Sequence, residues 1–522
     1  MFYEDYLSPE QFGAAGNGII DDTEFLIKMI NHNYMEKKTI IINNIYRVSK
    51  DLIFTSSVEG KGTILTENEA KVIIKGNNLN VSDITINGNN VGMGLYVSYS
   101  NKCIVKNVRV LNVRGGGITF QTCDDSKAVS CVTDYTRGKF GDGIIFLNSK
   151  NSFIEGNKCS NFQRVGIVVD WSEEKKSESP LIKNNQCSNA IVAIDRQINA
   201  GIWIENCKSG RIENNNIKNT LSKGIVITPN TNDKKNYAYT VSNNIIENSN
   251  EGLNFVYATN QVLFETNNRY IDVNNVYEIG NCKSAVLNGS IYMIKNKNIK
   301  QINSIIRFQP SSSNTTQLVI KECENQINKQ ETPIRVLNAY GIRGNIFMSD
   351  CIGNFKIAIN ENSLLGDVII NNCELDYTKG DATNYFCNNT GVFSVSNSKI
   401  IMDNKKENRV QANTVRISES ILEAKVQYAR LFLGQYGSEN LEIDNSIFNN
   451  IYFSDIVRPN TKIKLDRVTA SDFPASGFIN STKRIKEIDI ANSTFYSREN
   501  IRGVNIKALK SVLKNNKNRT LE

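Results

Sequence analysis

The sequence predicts an all-β chain folded as a parallel β-helix, and three observations lead there. Short β-branched runs ending in Asn, Gly or Ser recur throughout, whereas long amphipathic helical patterns are rare. A glycine followed by apolar residues at +1 and +3 returns seven times, at spacings between 23 and 35 residues. Asparagine then recurs at a fixed place behind a second apolar position in most of these repeats. Length alone, 522 residues, reads as roughly three or four ordinary domains, but a repeat array overrides that prior.

Residues 12–30, "FGAAGNGIIDDTEFLIKMI", hold a Gly-rich turn, an acidic helix start at Asp21, Asp22 and Thr23, and then apolar residues at helical spacing. An open solenoid end exposes strand edges, and an amphipathic helix within residues 1–40 covers them as an N-terminal cap. This segment resembles the "FGAxGDGxxDDTxAI" opening of the pectate-lyase-3-like right-handed β-helix group, with Asn17 where the motif usually carries Asp. The next stretch, "TIIINNIYRVSKDLIFTSSVEGKGTI", is similar to that group's first coils. The resemblance implies a right-handed, pectin-lyase-like solenoid. The group includes phage tailspike polysaccharide depolymerases, along with polygalacturonase-like hydrolases, lyases and epimerases. Its motif is specific for fold and much less so for reaction.

Residues 41–270 carry the regular coils. The rungs read "GLYVS" at Gly94, "GITFQ" at Gly117, "GIIFL" at Gly143, "GIVVD" at Gly166, "GIWIE" at Gly201, "GIVIT" at Gly224 and "GLNFV" at Gly252. Their +1 and +3 positions are apolar in all seven, from Leu95 and Val97 to Leu253 and Phe255. The second anchor reads "IVKN", "IEGN", "IKNN", "IENN" and "VSNN", ending on Asn107, Asn157, Asn185, Asn215 and Asn244. A period in the low twenties suits two or three short strands per coil, with corner amides stacked along the axis. A leucine-rich repeat would need LxxLxLxxN, which is missing.

Residues 271–505 continue the β-helix, or an irregular β part, with segments such as "GDVIINNCELDY", "NTVRISESILEA" and "TKIKLDRVTASDF". Each is a strand, a polar turn and another strand. Residues 506–522 form a basic tail, read as a short helix or a fraying end.

With +1 and +3 turned inward, +2 and +4 face outward. The +4 column reads Ser98, Gln121, Leu147, Asp170, Glu205, Thr228 and Val256. Its two carboxylates occupy consecutive rungs, and stacked strands lie about 4.8 Å apart, so Asp170 and Glu205 fall side by side. Trp203 stands between them in the +2 column, Trp171 follows Asp170, and the chain has 2 tryptophans. Paired carboxyls beside indole rings are what glycoside hydrolysis requires: one protonated acid for the leaving oxygen, and one carboxylate as nucleophile or base. Like charges in proximity raise one pKa and supply the acid. The longest spacing, 35 residues, separates these two rungs. Its extra length falls in "WSEEKKSESP" and "AIVAIDRQINA", natural groove walls that bring Asp195 and Arg196 as substrate contacts. Arg164, two before Gly166, and Asp142, one before Gly143, join the substrate-binding set, although an inter-rung salt bridge is the favoured reading for the two of them.

Several classes are excluded. The net charge of +8, from 61 basic and 53 acidic residues, is too mild and too evenly spread for nucleic-acid binding. No run approaches the roughly 18 apolar residues of a membrane span, and no secretory signal is visible in "MFYEDYLSPEQ". The 11 cysteines lack CxxC pairs and read as reduced core residues, which points to folding in a reducing cytoplasm. Neither a metal nor a cofactor is expected. The best calcium stub, Asp124-Asp125, is weak, and P-loop, Rossmann and GxSxG patterns are absent. The single histidine, His32, lies in the cap, and the polygalacturonase set NTD, DD, GHG, RxK is missing.

The expected protein is therefore a depolymerase that hydrolyses a bacterial capsular or other surface polysaccharide through Asp170 and Glu205. The alternatives are a polysaccharide lyase acting on a uronate polymer and a non-catalytic receptor-binding fibre. The resemblance further implies a homotrimer on a phage virion tail, made in the host cytoplasm and joined to a tail or adaptor protein. It also leaves open a site shared between subunits.

Overall fold

The computed structural model describes residues 6–170, 177–192, 199–229, 235–296, 304–309, 316–327, 334–336, 344–355, 357–359, 366–378, 387–388, 391–402, 408–425, 429–432, 438–454, 462–473, 478–480, 487–497, 512–515 and 519–521. Among these residues it is a right-handed parallel β-helix with one α-helix at the N-terminus. It divides into two compact units, Met1–Leu263 with Asn268–Val273, and Phe264–Asn267 with Asn274–Glu522.

In the first unit the cap helix runs Thr23–Glu36 and buries Leu26, Met29 and Ile30 against strands Ile45–Val48 and Leu52–Phe54. The acidic pair has two separate tasks. The buried Asp22 carboxylate accepts the Ala15 and Gly16 N–H groups at 2.7 and 3.1 Å, closing the turn, while Asp21 accepts from the Thr23 N–H at 3.0 Å. Asn17 accepts the Ile19 and Ile20 N–H groups at 2.9 and 3.1 Å through its amide oxygen, so replacing Asp there costs no acceptor.

The rungs stack in register. Leu95, Ile118, Ile144, Ile167, Ile202, Ile225 and Leu253 align on successive strands, as do Val97, Phe120, Phe146, Val169, Ile204, Ile227 and Phe255. All are buried, and the Phe120 and Phe146 rings stack at 4.1 Å. The repeated glycine is imposed by close approach rather than by turn geometry. A Cβ on Gly166 would lie 2.6 Å from the Gly201 carbonyl oxygen, and one on Gly201 would lie 2.8 Å from that of Gly224.

At the corner the amides form a buried ladder. Asn157, Asn185, Asn215 and Asn244 each donate to the side-chain oxygen of the next, at 2.9, 3.0, 2.9 and 2.9 Å, the last reaching Asn268. Asn107 is a correction. The pairing of Val105 with Ala128 and of Ala128 with Ile154 sets it level with Gly156, one place ahead of the ladder. It is exposed at φ 55° and donates to Asp83 instead.

In the second unit Ala285, Leu318, Ile346, Val368, Phe393, Val415, Leu441 and Ile463 form the same kind of buried column on parallel strands. Serine replaces asparagine at its corner. Ser398, Ser420 and Ser446 accept through Oγ from the N–H of Cys373, Ser398 and Ser420, at 3.0, 3.2 and 3.2 Å. In the basic tail the described residues are strands, Val512–Asn515 and Arg519–Leu521, where a short helix was one expectation. The ten described cysteine side chains are buried and unbridged.

Candidate functional site

Two rungs of the first unit assemble the site. Strand Val165–Asp170 pairs with strand Ala200–Glu205 through Val168–Trp203 and Val169–Ile204, so Asp170 and Glu205 are the next residues on neighbouring strands. Period-two alternation turns both away from the buried Val169 and Ile204, and both are partly exposed. Leu147 aligns with Asp170 on the preceding rung and Thr228 with Glu205 on the following one. The Asp170 carbonyl accepts from Ser177 Oγ at 2.5 Å and from the Asn148 N–H at 3.0 Å, which fixes the end of its strand.

The outward +2 column is not a solvated face, contrary to the expectation from alternation. Ile145, Val168 and Val226 are buried, and with Val165 and Ala200 they form an apolar cluster on which Leu147 and Trp203 rest half-covered. Alternation fixes which way a side chain points, while tertiary cover decides whether water reaches it. Nevertheless, the column's own composition, Ile145, Val168, Trp203 and Val226 in successive rungs, was a readable sign of a second apolar surface. Trp203 is pinned there, its indole Nε1 donating to Thr228 Oγ1 at 3.0 Å.

That surface sets the electrostatics. Burial, and then the Asp170 charge, push the Glu205 carboxyl from its ordinary 4.5 up to about 7, while the Arg164 charge draws it down. Arg164 is clamped by Asp142, to which its Nε donates at 2.8 Å and its Nη2 at 2.5 Å, while the Val165 N–H adds a third bond at 3.0 Å. Asp142 is fully buried and burial raises its carboxyl; the Arg164 partnership opposes this. Arg164 also lies over the exposed Phe140 ring, 5.7 Å from its centroid. The inter-rung ion pair therefore forms, and its guanidinium feels Asp170 and Glu205 as well.

Of the remaining sequence candidates, Trp171, Asp195 and Arg196 lie outside the described residues, as does most of both loops expected to wall the groove. Among the described residues no cluster of three or more His, Cys, Asp or Glu side chains could hold a metal, and Asp124 instead accepts the Lys150 N–H at 2.9 Å. No described helix is long and apolar enough to cross a membrane. Thr228, Leu147 and Phe140 join the site from structure alone.

The family model described as "Right handed beta helix region" matches twice, over residues 70–196 and 141–269, which together span the candidate site. Among solved structures, the Dettilon tailspike protein is similar at 15% identity, over 70% of this chain and 68% of that one, with a TM-score of 0.42. PfbA, a surface adhesin of Streptococcus pneumoniae, is similar at 15% identity over 76% and 91%, with a TM-score of 0.40. A mutant tailspike protein of E. coli bacteriophage HK620, in complex with pentasaccharide, is similar at 12% identity over 86% and 80%, with a TM-score of 0.45. With its own parallel rungs and the doubly matched coils, the chain has a right-handed parallel β-helix fold.

Proposed function

We propose that the first unit hydrolyses glycosidic bonds of a polysaccharide, with Glu205 as the acid and Asp170 as nucleophile or water-activating base. One observation carries this reading: two carboxyl groups on adjacent rungs stand in unequal environments, and one is pushed up to about 7. Glu205 is then substantially protonated at neutral pH and can give its proton to the departing glycosidic oxygen. Asp170 completes the exchange, either bonding the anomeric carbon, with water later displacing it, or taking the proton of the attacking water. Trp203, half-covered and tied to Thr228, offers an apolar ring face for a sugar.

The substrate proposed is a bacterial capsular or other surface polysaccharide, and the assembly a homotrimer on a phage tail. The opening-motif resemblance supports both assignments. Incubation with a panel of bacterial capsules tests the reading. New reducing ends without ultraviolet-absorbing unsaturated product are expected. Unsaturated product would replace hydrolysis by β-elimination, and binding without turnover would leave a receptor-binding fibre.

A further inference from the structure

The turn that leads into Asp142 carries aromatic rings and cations that the paired carboxyls do not use. Tyr135 and Phe140 are 38% and 58% exposed, and cations stand over both rings. The Arg137 guanidinium lies 5.2 Å from the Tyr135 centroid, while Lys139 Nζ and the Arg164 guanidinium lie 5.5 and 5.7 Å from that of Phe140. The turn is held by its own bonds. The Gly138 N–H donates to Gln163 Oε1 at 2.7 Å, the Gly141 N–H to the Gly138 carbonyl at 3.0 Å, and Thr136 Oγ1 to the Gly141 carbonyl at 3.2 Å.

Several features of this patch point to an anionic ligand. Strand pairing sets Arg114 level with Arg137, and like charges facing each other across strands are unfavourable. Arg114 is offset by Glu69 at 3.1 Å, whereas among the described residues neither Arg137 nor Lys139 has an ion-pair partner. Tyr135 holds a left-handed corner at φ 55°, where the coils before and after it place Asn112 and Asn161. A bulky side chain adopts that conformation at a cost, and this exposed ring has no buried packing to offset it. Arg164 commits Nε and Nη2 to the buried Asp142, so its Nη1 edge is turned away from that partner, and the side chain stays 20% exposed. A guanidinium fixed by one edge offers the other to a planar carboxylate. The next residue, Val165, belongs to the apolar cluster on which Trp203 rests, which ties the patch to the candidate site.

We infer that Tyr135, Arg137, Lys139, Phe140 and Arg164 form a subsite for an acidic sugar residue. The cations hold its carboxylate and Phe140 takes its ring face, so the polysaccharide is one whose repeat carries a sugar acid. The inference rests on the proposed function for taking the ligand to be a polysaccharide, but not on how its bond is cut.

Binding is measured on the full chain carrying Glu205→Gln, so that the polymer is not consumed. The probes are a panel of bacterial capsular polysaccharides and the same polymers after chemical reduction of their carboxyl groups to alcohols. The capsules bound are expected to be acid-bearing, and reduction to weaken their binding roughly tenfold or more, the worth of a hydrogen bond to a charged group. Arg137→Gln with Lys139→Gln changes two exposed side chains and is expected to weaken the acidic polymer by a similar factor while leaving the reduced one unchanged. Phe140→Ala is expected to weaken both forms. Arg164 stays in place, because its removal strands the buried Asp142 carboxylate. Equal binding before and after reduction, equally tight binding of a neutral capsule, or no capsule bound at all overturns the inference. Cleavage of a neutral capsule by the wild type removes the acidic subsite alone, whereas acid-dependent binding without cleavage by the wild type removes the hydrolytic reading alone.

Discussion

Two carboxyl groups one strand apart do not both stay charged without penalty, and Glu205, raised by burial and then by the Asp170 charge, is the one that gives way. With the acid lost near pH 7, activity is expected to fall on the alkaline side from about that pH. Asp170→Asn removes the charge that helps raise Glu205, so whatever activity survives should lose its alkaline limb at lower pH; a pH profile of kcat/KM reads both. The stability effect has a definite sign. Because the folded value lies above the ordinary 4.5, the stabilisation is complete below about 4.5 and is lost as pH rises through about 7. Glu205→Gln should therefore match the wild type in acid and exceed it above neutrality, as melting curves at pH 4 and pH 8 would show. The +4 column was legible because side-chain direction follows a period of two. The apolar letters of the +2 column pointed to a second surface, but how completely Val168 and Val226 are covered was not legible, since cover on an outward face comes from other parts of the fold. The Asp142–Arg164 ion pair was legible from two opposite charges near successive glycines, and it forms as expected.

The single coil is the unit whose rules repeat, and two of its positions carry sharp mutational consequences. Gly166→Ala places a methyl 2.6 Å from the Gly201 carbonyl oxygen and 2.9 Å from Cys187 Sγ, and overpacking of this kind costs about 1–3 kcal/mol. Asn215 accepts from the Asn185 backbone and side-chain amides at 2.9 and 3.0 Å, and donates to the Ile182 carbonyl and Asn244 at 3.0 and 2.9 Å. Asn215→Ala strands these buried partners and should cost about 2–4 kcal/mol in urea unfolding. Asn107→Ala, outside the ladder, should cost no more than about 1 kcal/mol, mostly for alanine at positive φ. If the two asparagine variants unfold alike, the ladder is not what stabilises the corner. The glycine and the corner amide were legible as recurring letters, but the alignment that included Asn107 slipped by one residue. "IVKN" and "IEGN" look equivalent in sequence, and only strand pairing tells the left-handed corner residue from the buried one that follows. The serine corner of the second unit, which keeps the backbone N–H to side-chain oxygen bond but turns each hydroxyl back on the carbonyl two residues earlier, left no comparable signature.

Each unit, taken by itself, stacks its buried columns into an interior along parallel strands, and the first unit carries the outer apolar cluster as well. Buried, unbridged cysteines fit that interior as small apolar side chains: Cys159 and Cys187 are paired residues on adjacent strands of the first unit, and Cys323, Cys351 and Cys373 lie in the second. Burial pushes the Cys123 and Cys131 thiols up to about 12, so thiolate is scarce at neutral pH. Alkylating reagents should therefore leave these thiols unlabelled until denaturant is added, and a reductant should not change the melting temperature; rapid labelling of the native protein would contradict this packing. At this scale the all-β solenoid was legible from periodicity and the right hand from the opening motif, while the proposed chemistry rests on a few residues in two of many rungs. The central claim concerns those rungs, and release of reducing ends from a susceptible capsule by wild type, Asp170→Asn and Glu205→Gln tests it most directly. Each variant is expected to lose about 10²-fold or more in kcat, the scale of a missing general acid or base. Full activity in both variants would contradict the assignment of Asp170 and Glu205.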